Sequence, residues 1–571
     1  MFKSFKKLAA VSLAAVSLFS VTAACGGNNS TVNINTEQTQ LNVGVFDAGL
    51  GTVYFDEMAK DFEEYYKDYS FEEGKKGVQV VPFKKKEEFT PGNLVTQMQN
   101  YDNAIWFLDQ GNYNEFVNKG LLADITDTVT EKVYDAEGNL AAKSGKTAVS
   151  SIEDMMIDGY SDIFRFSNSS VTERYYAVPF WISIPGIIYD AALFDERGFY
   201  FKKNGSIGAR QADIDSGNCS AGPDGKLGTL DDGLPATWND FVTLMNHMIK
   251  NDVTPFTWSA THTYQRSGVY TQMWANYEGY DNFILNYSFN GHDSGLNLDI
   301  TESNFTELKN QEGRKAAIKA FYDITKNRSF YSVNAAVGNN HTDAESEFIT
   351  SHQTDKPIAM FMENSYWESE SREVFNALGQ ADSDYAFGNH DYRFMPVPRF
   401  VGTEGVKDQT NTGRVIVGRG ADNYICLSAR NKCSNPEVQL KVAKMLLQFV
   451  HTREQLVQFT SNTGCFRSFK YTANEEELKT YTKYTQSIAN YIAEEGTVLT
   501  SNIPLSSVRK NAGQQFDEEN YAFAFMAAQG NDIPLFDPFK YFYKYTNATV
   551  EQCFEDAKNG LQNQFAKFLK K

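Results

Sequence analysis

The chain has 571 residues, of which 42% are hydrophobic and 14% aromatic, so it is long enough for about two to four domains with real cores. A formal net charge of −19 at pH 7 argues against partners such as nucleic acid and anionic lipid, and it suits a neutral ligand better than an anionic one. The six cysteines form no CxxC pair and the seven histidines no HExxH motif, which argues against a zinc or redox motif.

The amino terminus has the pattern of an export signal. Lysines precede an apolar run at residues 8–21, which is shorter than a typical transmembrane helix requires. The segment Thr22-Ala23-Ala24-Cys25 resembles a bacterial lipobox, although Thr22 stands where an aliphatic residue is usual. The resemblance implies that residues 1–24 are a lipoprotein signal peptide and that Cys25 carries lipid. An ordinary signal peptide with an incidental cysteine is the alternative.

The next segment predicts a tether. Residues 25–40 are polar, rich in Gly and Asn, and without hydrophobic period, which is typical of a flexible linker. We therefore expect the folded body to lie outside the cytoplasm, at the extracellular face of the cell membrane, anchored there through lipid.

The first part of the body alternates between strand and helix patterns. Strands are predicted at 41–46, 78–83 and 104–108, and apolar residues at helical spacing predict a helix over 55–66. This alternation favours a parallel sheet with both faces covered. Ligands of such sheets bind at the carboxyl ends of the strands, where Phe46, Asp47 and Asp109 stand.

Two later features matter for the architecture. A strand is predicted over 418–427, followed by a helix with Asn435 as its cap and Pro436 at its first position. Cys426 and Cys433 are close enough in sequence to form a bridge, but we favour buried free thiols.

The order of several short motifs resembles the extracellular solute-binding proteins of sugar ABC transporters, in the family that contains the maltose-binding protein. The motifs are GLLADI at 120–125, YAVP at 176–179, GIIYD at 186–190, LPATWNDF at 234–241 and AMFMENSYW at 359–367. Asn364 departs from the pattern, because the family usually has glycine there.

The resemblance implies an α/β fold with two lobes, of the type II periplasmic-binding-protein kind, and a ligand cleft between them. Lobe one would comprise 41–182 and 399–465, and lobe two would comprise 186–398 and 466–571. Extra length relative to the family falls near 131–150, 203–233 and 281–310, where it could reshape the cleft.

Sugar rings have apolar C–H faces and hydroxyl edges, so a sugar site needs aromatic rings and polar acceptors. The resemblance places Trp367 and Tyr366 where aromatic residues stack on sugar, and Asp109 where a carboxylate binds hydroxyls. Core packing and helix capping are the respective alternatives. Further candidates of the same two kinds, each with a core or turn role as its alternative, are Trp181, Trp274, Trp258, Phe46, Asp47, Glu363 and Trp106.

A loop rich in Asp and Gly is a candidate for a hard cation. Asp213, Asp215, Asp224 and Asp231 lie close together in sequence on turn-forming segments, and such oxygens can bind calcium. The loop is not an EF-hand, because no Glu stands at the twelfth position. A solvated turn cluster is the other interpretation. We expect no required cofactor beyond such a structural ion.

The leading hypothesis is that the protein is a monomeric, lipid-anchored receptor that delivers a neutral sugar or oligosaccharide to an ABC permease. We therefore expect a binding protein and not an enzyme. A surface-anchored glycan hydrolase is the alternative. Its candidate catalytic carboxylates are those of Glu363, Glu368 and Glu370. An adhesion or scaffold protein is a third possibility.

Overall fold

The computed structural model describes residues 33–109, 113–168, 170–419, 423–429, 435–501 and 537–569. The strands are β1 Thr39–Phe46, β2 Val78–Lys85, β3 Ile105–Leu108, β4 Arg165–Phe166, β5 Arg174–Tyr175, β6 Ala177–Pro179, β7 Trp181–Ile182, β8 Gly186–Asp190, β9 Tyr200–Phe201, β10 Ile207–Ala209, β11 Thr254–Thr257, β12 Gly291–Asp293, β13 Leu298–Ile300, β14 Ile358–Glu363, β15 Tyr392–Met395, β16 Arg414–Gly418, β17 Tyr424–Leu427, β18 Phe466–Arg467 and β19 Thr497–Ser501. The helices are α1 Val53–Tyr65, α2 Pro91–Asn100, α3 Tyr113–Asn118, α4 Thr126–Thr130, α5 Ala141–Ser144, α6 Ile152–Met155, α7 Tyr160–Phe164, α8 Ala191–Arg197, α9 Gln211–Asp215, α10 Trp238–Lys250, α11 Tyr264–Glu278, α12 Tyr280–Ser288, α13 Glu312–Lys326, α14 Asn334–Val337, α15 His341–Ser351, α16 Trp367–Glu370, α17 Arg372–Gly379, α18 Pro436–Phe449, α19 Arg453–Thr463, α20 Glu475–Leu478, α21 Lys483–Ala493, α22 Pro538–Lys544 and α23 Val550–Leu569.

The first lobe is built on a five-stranded sheet in the order β2-β1-β3-β17-β6. The strands β1, β2 and β3 are parallel, as the sequence predicted, but β17 runs antiparallel to its neighbours β3 and β6. Helix α1 buries Phe55, Met58 and Phe62 on one face, which is the helical spacing seen in the sequence. Helix α18 begins as predicted, with the Asn435 side chain accepting a hydrogen bond from Val438 N at 3.4 Å.

The second lobe is built on a four-stranded mixed sheet in the order β11-β14-β8-β15. Alternate residues of its strands face two different cores. Ile188 and Phe361 pack in the core that also covers the first sheet, whereas Tyr189 and Met360 pack with the helices of lobe two. The two lobes are therefore in extensive apolar contact in this conformation.

Segments late in the chain contact both lobes. Phe400, Val415 and Val417 pack in the core with the helices of lobe two. The buried Arg467 guanidinium donates to Phe180 O at 2.6 Å. The predicted lobe bounds stay a prediction.

The predicted flexible linker ends earlier than residue 40. Asn35 N donates to Gln79 Oε1 at 2.8 Å, Thr39 is fully buried, and β1 begins at Thr39. The last residues of the predicted linker therefore belong to the folded body.

Cys219, Cys426, Cys465 and Cys553 are buried free thiols, while Cys433 and the predicted lipidation site Cys25 lie outside the described residues. Within the described part of the chain, no helix is both long and apolar enough to cross a membrane.

Candidate functional site

A pocket opens at the carboxyl ends of β1 and β3. It is lined by the strand ends, by the loop and helix after β1, and by the chain crossing at β7, namely Phe46, Ala48, Leu50, Gly51, Tyr54, Phe107, Leu108, Asp109, Phe180 and Trp181. This is the edge of a parallel sheet at which ligands bind in α/β proteins. Three of the predicted site residues, Phe46, Asp109 and Trp181, therefore come together.

Asp109 supplies the polar group of this pocket. Its carboxylate is partly exposed, and the Asn423 side-chain amide, in the orientation that satisfies both groups, donates to Asp109 Oδ1 at 2.9 Å. Burial raises the pKa of the Tyr54 hydroxyl, and the charge of Asp109 raises it further. Asp109 thus places a charged acceptor in the pocket, and a carboxylate is the kind of group that binds ligand hydroxyl groups.

Trp181 connects this pocket with lobe two. Its ring meets that of Tyr366 edge-on, with centroids 5.8 Å apart and an interplanar angle of 87°. Tyr366 lies after β14 and is partly exposed, while Trp181 is 7% exposed. The two rings thus approach each other from opposite sides of the cleft.

A second aromatic residue of lobe two stands beside Tyr366. Tyr264 begins α11, and the Arg419 guanidinium lies 4.9 Å from the centre of its ring. Burial and the nearby Glu363 carboxylate raise the pKa of the Tyr264 hydroxyl, and a hydrogen bond with Tyr366 opposes that shift. Arg419 is fixed at the crossing by two backbone hydrogen bonds of 2.8 Å with Ser183.

Glu363 lies beneath these rings and is only 1% exposed. Its carboxylate accepts from Gln265 Nε2 at 2.8 Å and from Asn364 N at 2.9 Å. Burial, with repulsion from Glu370, raises its pKa well above the usual range. Glu363 therefore supports the residues of the cleft rather than facing into it, and Asn364, at the position where the resembling family has glycine, is one of the groups it orients.

The pocket is small in this conformation. It has room for about 10 Å³ of water-sized space, which is roughly one water molecule. Ligand pockets for small molecules usually measure roughly 300–1,000 Å³. An oligosaccharide therefore needs the lobes to separate, which two lobes joined by chain crossings can do by hinge motion.

Four predicted tryptophan sites belong to the cores instead. Trp367 is fully buried among five aromatic rings, those of Phe348, Phe361, Phe375, Tyr392 and Tyr484. No ring face is left for a sugar in this conformation. Trp106, Trp258 and Trp274, also predicted for the site, are likewise buried in this conformation.

Polar partners fix the other three tryptophans of this predicted set. Trp106 Nε1 donates to Ser428 Oγ at 2.8 Å, and its ring lies where a Cβ on Gly44 would overlap it. Trp258 Nε1 donates to Ala335 O at 2.9 Å, and Trp274 Nε1 donates to Gln311 Oε1 at 3.0 Å. Each indole is thus satisfied inside the protein.

Asp47 is exposed in the loop after β1 and does not line the pocket. None of the lining residues comes from 131–150, 203–233 or 281–310, so the extra segments leave this pocket unchanged.

The four aspartates of the predicted calcium site do not form one oxygen cage. Asp224 and Asp231 pair with the Arg414 guanidinium at 2.9 and 2.8 Å, and Glu494 pairs with it as well. Asp213 accepts from Arg210 N, and Asp215 accepts from Gln211 Nε2. Arg414, which is distant in the chain, thus supplies positive charge beside two of the four aspartates.

Sequence reasoning missed Tyr264, Arg419, Asn423 and Tyr54. Tyr264 stands in the Ser/Thr/Tyr-rich segment at 258–280, in which only Trp258 and Trp274 were predicted as site residues. Tyr54 lines the pocket from α1, directly after β1. Arg419 and Asn423 have no local signal, because only the fold brings them to Tyr264 and Asp109.

The fold is similar to solved structures of solute-binding proteins. A probable secreted solute-binding lipoprotein from Streptomyces coelicolor aligns with 93% of this chain and 100% of its own, at 11% identity and a TM-score of 0.51. The apo form of RafE from Streptococcus pneumoniae aligns with 93% of this chain and 100% of its own, at 13% identity and a TM-score of 0.49. RafE in complex with raffinose aligns with 92% of this chain and 100% of its own, at 13% identity and a TM-score of 0.48.

No protein-family model matches the chain, and no curated protein matches it. The likeness to the Streptomyces protein shows the fold at nearly full length of both chains. The chain has the two-lobed α/β fold of type II solute-binding proteins, with the cleft between the lobes, as the sequence predicted.

Proposed function

We propose that this protein is an extracellular receptor that binds a neutral sugar or oligosaccharide between its lobes and delivers it to an ABC permease. In this proposal it belongs to the solute-binding proteins of the maltose-binding type. The protein acts as a monomer, is anchored in the cell membrane through lipid on Cys25, and needs no cofactor for binding.

One observation carries the proposal: aromatic rings from both lobes meet beside a carboxylate at the sheet edge. Trp181 and Tyr366 offer apolar faces that suit the C–H surface of a sugar ring. Asp109, which lines the same pocket as Trp181, supplies a carboxylate, a strong acceptor for sugar hydroxyl groups. With contacts on both lobes, a bound sugar favours the closed conformation, and the permease reads that conformation.

The hydrolase alternative has weaker support. The carboxylates of Glu363 and Glu368 are 1% and 3% exposed, and the latter accepts a hydrogen bond from the Thr482 hydroxyl. A glycosidase needs two carboxyl groups that flank a bound glycosidic bond. Buried carboxylates that are engaged by protein groups do not supply such a pair in this conformation.

The experiment is calorimetric titration of the purified chain, after a thermal-shift screen of neutral oligosaccharides has identified a ligand. Asp109→Ala and Tyr366→Ala should each weaken binding roughly tenfold to hundredfold, which corresponds to about 1–3 kcal/mol for a lost polar or stacking partner. Tyr366→Phe keeps the ring and should bind more tightly than Tyr366→Ala.

Asp215→Asn is the matched control, since Asp215 is exposed on the surface of lobe two. If the folded Asp109→Ala and Tyr366→Ala variants bind like the parent, the cleft assignment is wrong. Release of shorter sugars during prolonged incubation would instead favour the hydrolase.

A further inference from the structure

Two histidines and an aspartate from three distant parts of the chain meet in lobe two. Asp190 ends β8, His352 follows α15, and His390 precedes β15. Asp190 Oδ2 lies 2.8 Å from His352 Nδ1, and Asp190 Oδ1 lies 2.9 Å from His390 Nε2. The three donor atoms lie within 4.8 Å of one another.

We propose that Asp190, His352 and His390 form a binding site for a divalent transition metal, and that Zn²⁺ is the ion that fits it best. Two imidazole nitrogens and one carboxylate are typical zinc ligands, whereas calcium and magnesium prefer oxygen ligands alone. This cluster is separate from the cleft, and the proposal does not depend on the proposed function.

The surroundings of the cluster resemble a closed structural site. The side chains of Asp190 and His390 are 2% and 6% exposed, and that of His352 is 17% exposed. Tyr385 stacks on His390 with ring centroids 4.9 Å apart. Tyr392, with a centroid 4.5 Å from that of His390, has a buried hydroxyl without a hydrogen-bond partner among the described residues. An unsatisfied buried hydroxyl beside the ligands is a polar group that a bound ion or its water can engage.

A backbone group already orients one of the ligands, and a carboxylate lies near a second. Leu193 N donates to Asp190 Oδ1 at 2.8 Å, which holds the carboxylate in place. His352 Nε2 lies 3.8 Å from the Glu196 carboxylate. If Nδ1 of this ring binds the metal, its proton resides on Nε2 and points toward Glu196, which is the carboxylate–histidine–metal arrangement common in zinc proteins.

The oxygen–nitrogen distances are close to those of a zinc site. Without a metal, each ring N–H donates to the carboxylate, which accounts for the two short distances. Zinc bonds of about 2.0–2.1 Å in a tetrahedral site separate the donor atoms by roughly 3.3 Å. Each oxygen–nitrogen pair therefore separates by only about half an ångström, and the two imidazole nitrogens, which lie within 4.8 Å of each other, come to the same spacing when the ion binds. The bound ion links β8, α15 and β15.

The test uses the full chain without an added histidine tag, titrated with ZnCl₂ in a calorimeter and in thermal unfolding. We expect one Zn²⁺ per chain and a rise in melting temperature with Zn²⁺ concentration, because the ion binds the folded state. His352→Gln and His390→Gln should each weaken that binding by roughly tenfold or more.

Two controls locate the site. His292→Gln removes an exposed histidine that pairs with Asp299 at 2.7 Å, and His341→Gln removes a histidine that lies 3.3 Å from Glu370 and contacts His262. Both variants should bind Zn²⁺ like the parent. No saturable binding by the parent, or equal binding by the His352→Gln variant, overturns the proposal.

An anomalous-scattering map at the zinc edge, from crystals of the parent soaked in ZnCl₂, tests the same point without any variant. A peak between Asp190, His352 and His390 is the expected result. A peak only at other residues contradicts the assignment even if the variants fail to fold.

Discussion

Tyr366 and Trp367 are neighbours in the chain but have different environments. Tyr366 is partly exposed and meets Trp181 across the cleft, whereas Trp367 begins α16 and is enclosed by five aromatic rings. The motif that contains both residues predicted aromatic stacking but did not show which ring faces the ligand. The direction of the chain after β14 decides that.

Trp367→Ala should therefore act on stability rather than on binding. Removing a buried tryptophan leaves a cavity that its aromatic neighbours cannot fill, and such changes cost about 3–5 kcal/mol. Urea unfolding followed by circular dichroism measures the loss. Trp367→Phe is the conservative control and should lose less. A fully stable Trp367→Ala protein with weakened sugar binding would contradict this prediction and would indicate that Trp367 contacts the sugar.

Glu368 gives stability a pH dependence. Burial raises its pKa to about 7 from the usual 4.5, against the opposing hydrogen bond from Thr482. The folded state then holds its proton more tightly than the unfolded state. This contribution is fully present below pH 4.5 and is lost as the pH rises through about 7, on the order of 3 kcal/mol in total.

Glu368→Gln should remove that share of the pH dependence. The measurement is the free energy of unfolding in urea at intervals from pH 4.5 to 8, for the parent and the variant. The exposed Glu476→Gln is the control and should keep the parent's slope. Identical slopes for parent and Glu368→Gln would contradict the raised pKa.

At the scale of elements, β16 shows how a crossing strand is secured on both edges. One edge pairs in parallel with β19. On the other edge, Gln272 Nε2 donates to Val417 O at 2.7 Å, and Asn276 Nδ2 donates to Val415 O at 2.7 Å, both from α11. Side-chain amides of a helix thus take the place of a neighbouring strand, which satisfies the buried backbone groups. This contact packs β16 against α11.

Arg414, at the start of β16, attaches the loop at 222–233 to the crossing strands. Its side chain is 11% exposed and is surrounded by Asp224, Asp231 and Glu494. Burial raises the pKa of Asp231 to about 6 even with this cation beside it. Arg414→Gln leaves buried carboxylates unpaired and should destabilise the protein by about 3–5 kcal/mol.

Thermal and urea unfolding of Arg414→Gln and of the charge-conserving Arg414→Lys measure the effect, and the lysine variant should lose less. The parent should show the same melting temperature with and without a calcium chelator. If the chelator lowers the melting temperature of the parent and Arg414→Gln leaves it unchanged, calcium rather than Arg414 holds the loop.

At the scale of the whole molecule, the position of the protein in the cell depends on residues outside the described part of the chain. We expect Cys25→Ala to move the protein from the membrane fraction to the soluble fraction, because the lipid attached to Cys25 is its proposed anchor. Cell fractionation and immunoblotting measure this, with Cys553→Ala as the control for loss of a cysteine elsewhere. A Cys25→Ala protein that stays with the membrane as firmly as the parent contradicts the anchor.

The sequence by itself determined the local elements and the general architecture. Apolar spacing identified α1, the Asn435 cap located α18, and the alternation of strands and helices placed Phe46 and Asp109 at one sheet edge. These features depend on neighbours within a few residues, so periodicity and capping chemistry are sufficient to predict them.

Tertiary structure alone decided which aromatic residues face the cleft and which charges meet. Trp258 and Trp274 are buried in the core, whereas Tyr264 lies at the cleft. Arg414 pairs with the acidic loop, and His352 and His390 both contact Asp190. Each of these outcomes depends on chain crossings that unite segments far apart in sequence. Short-range patterns contain no information on such contacts, because the free energy that selects them comes from burial and pairing in the assembled core.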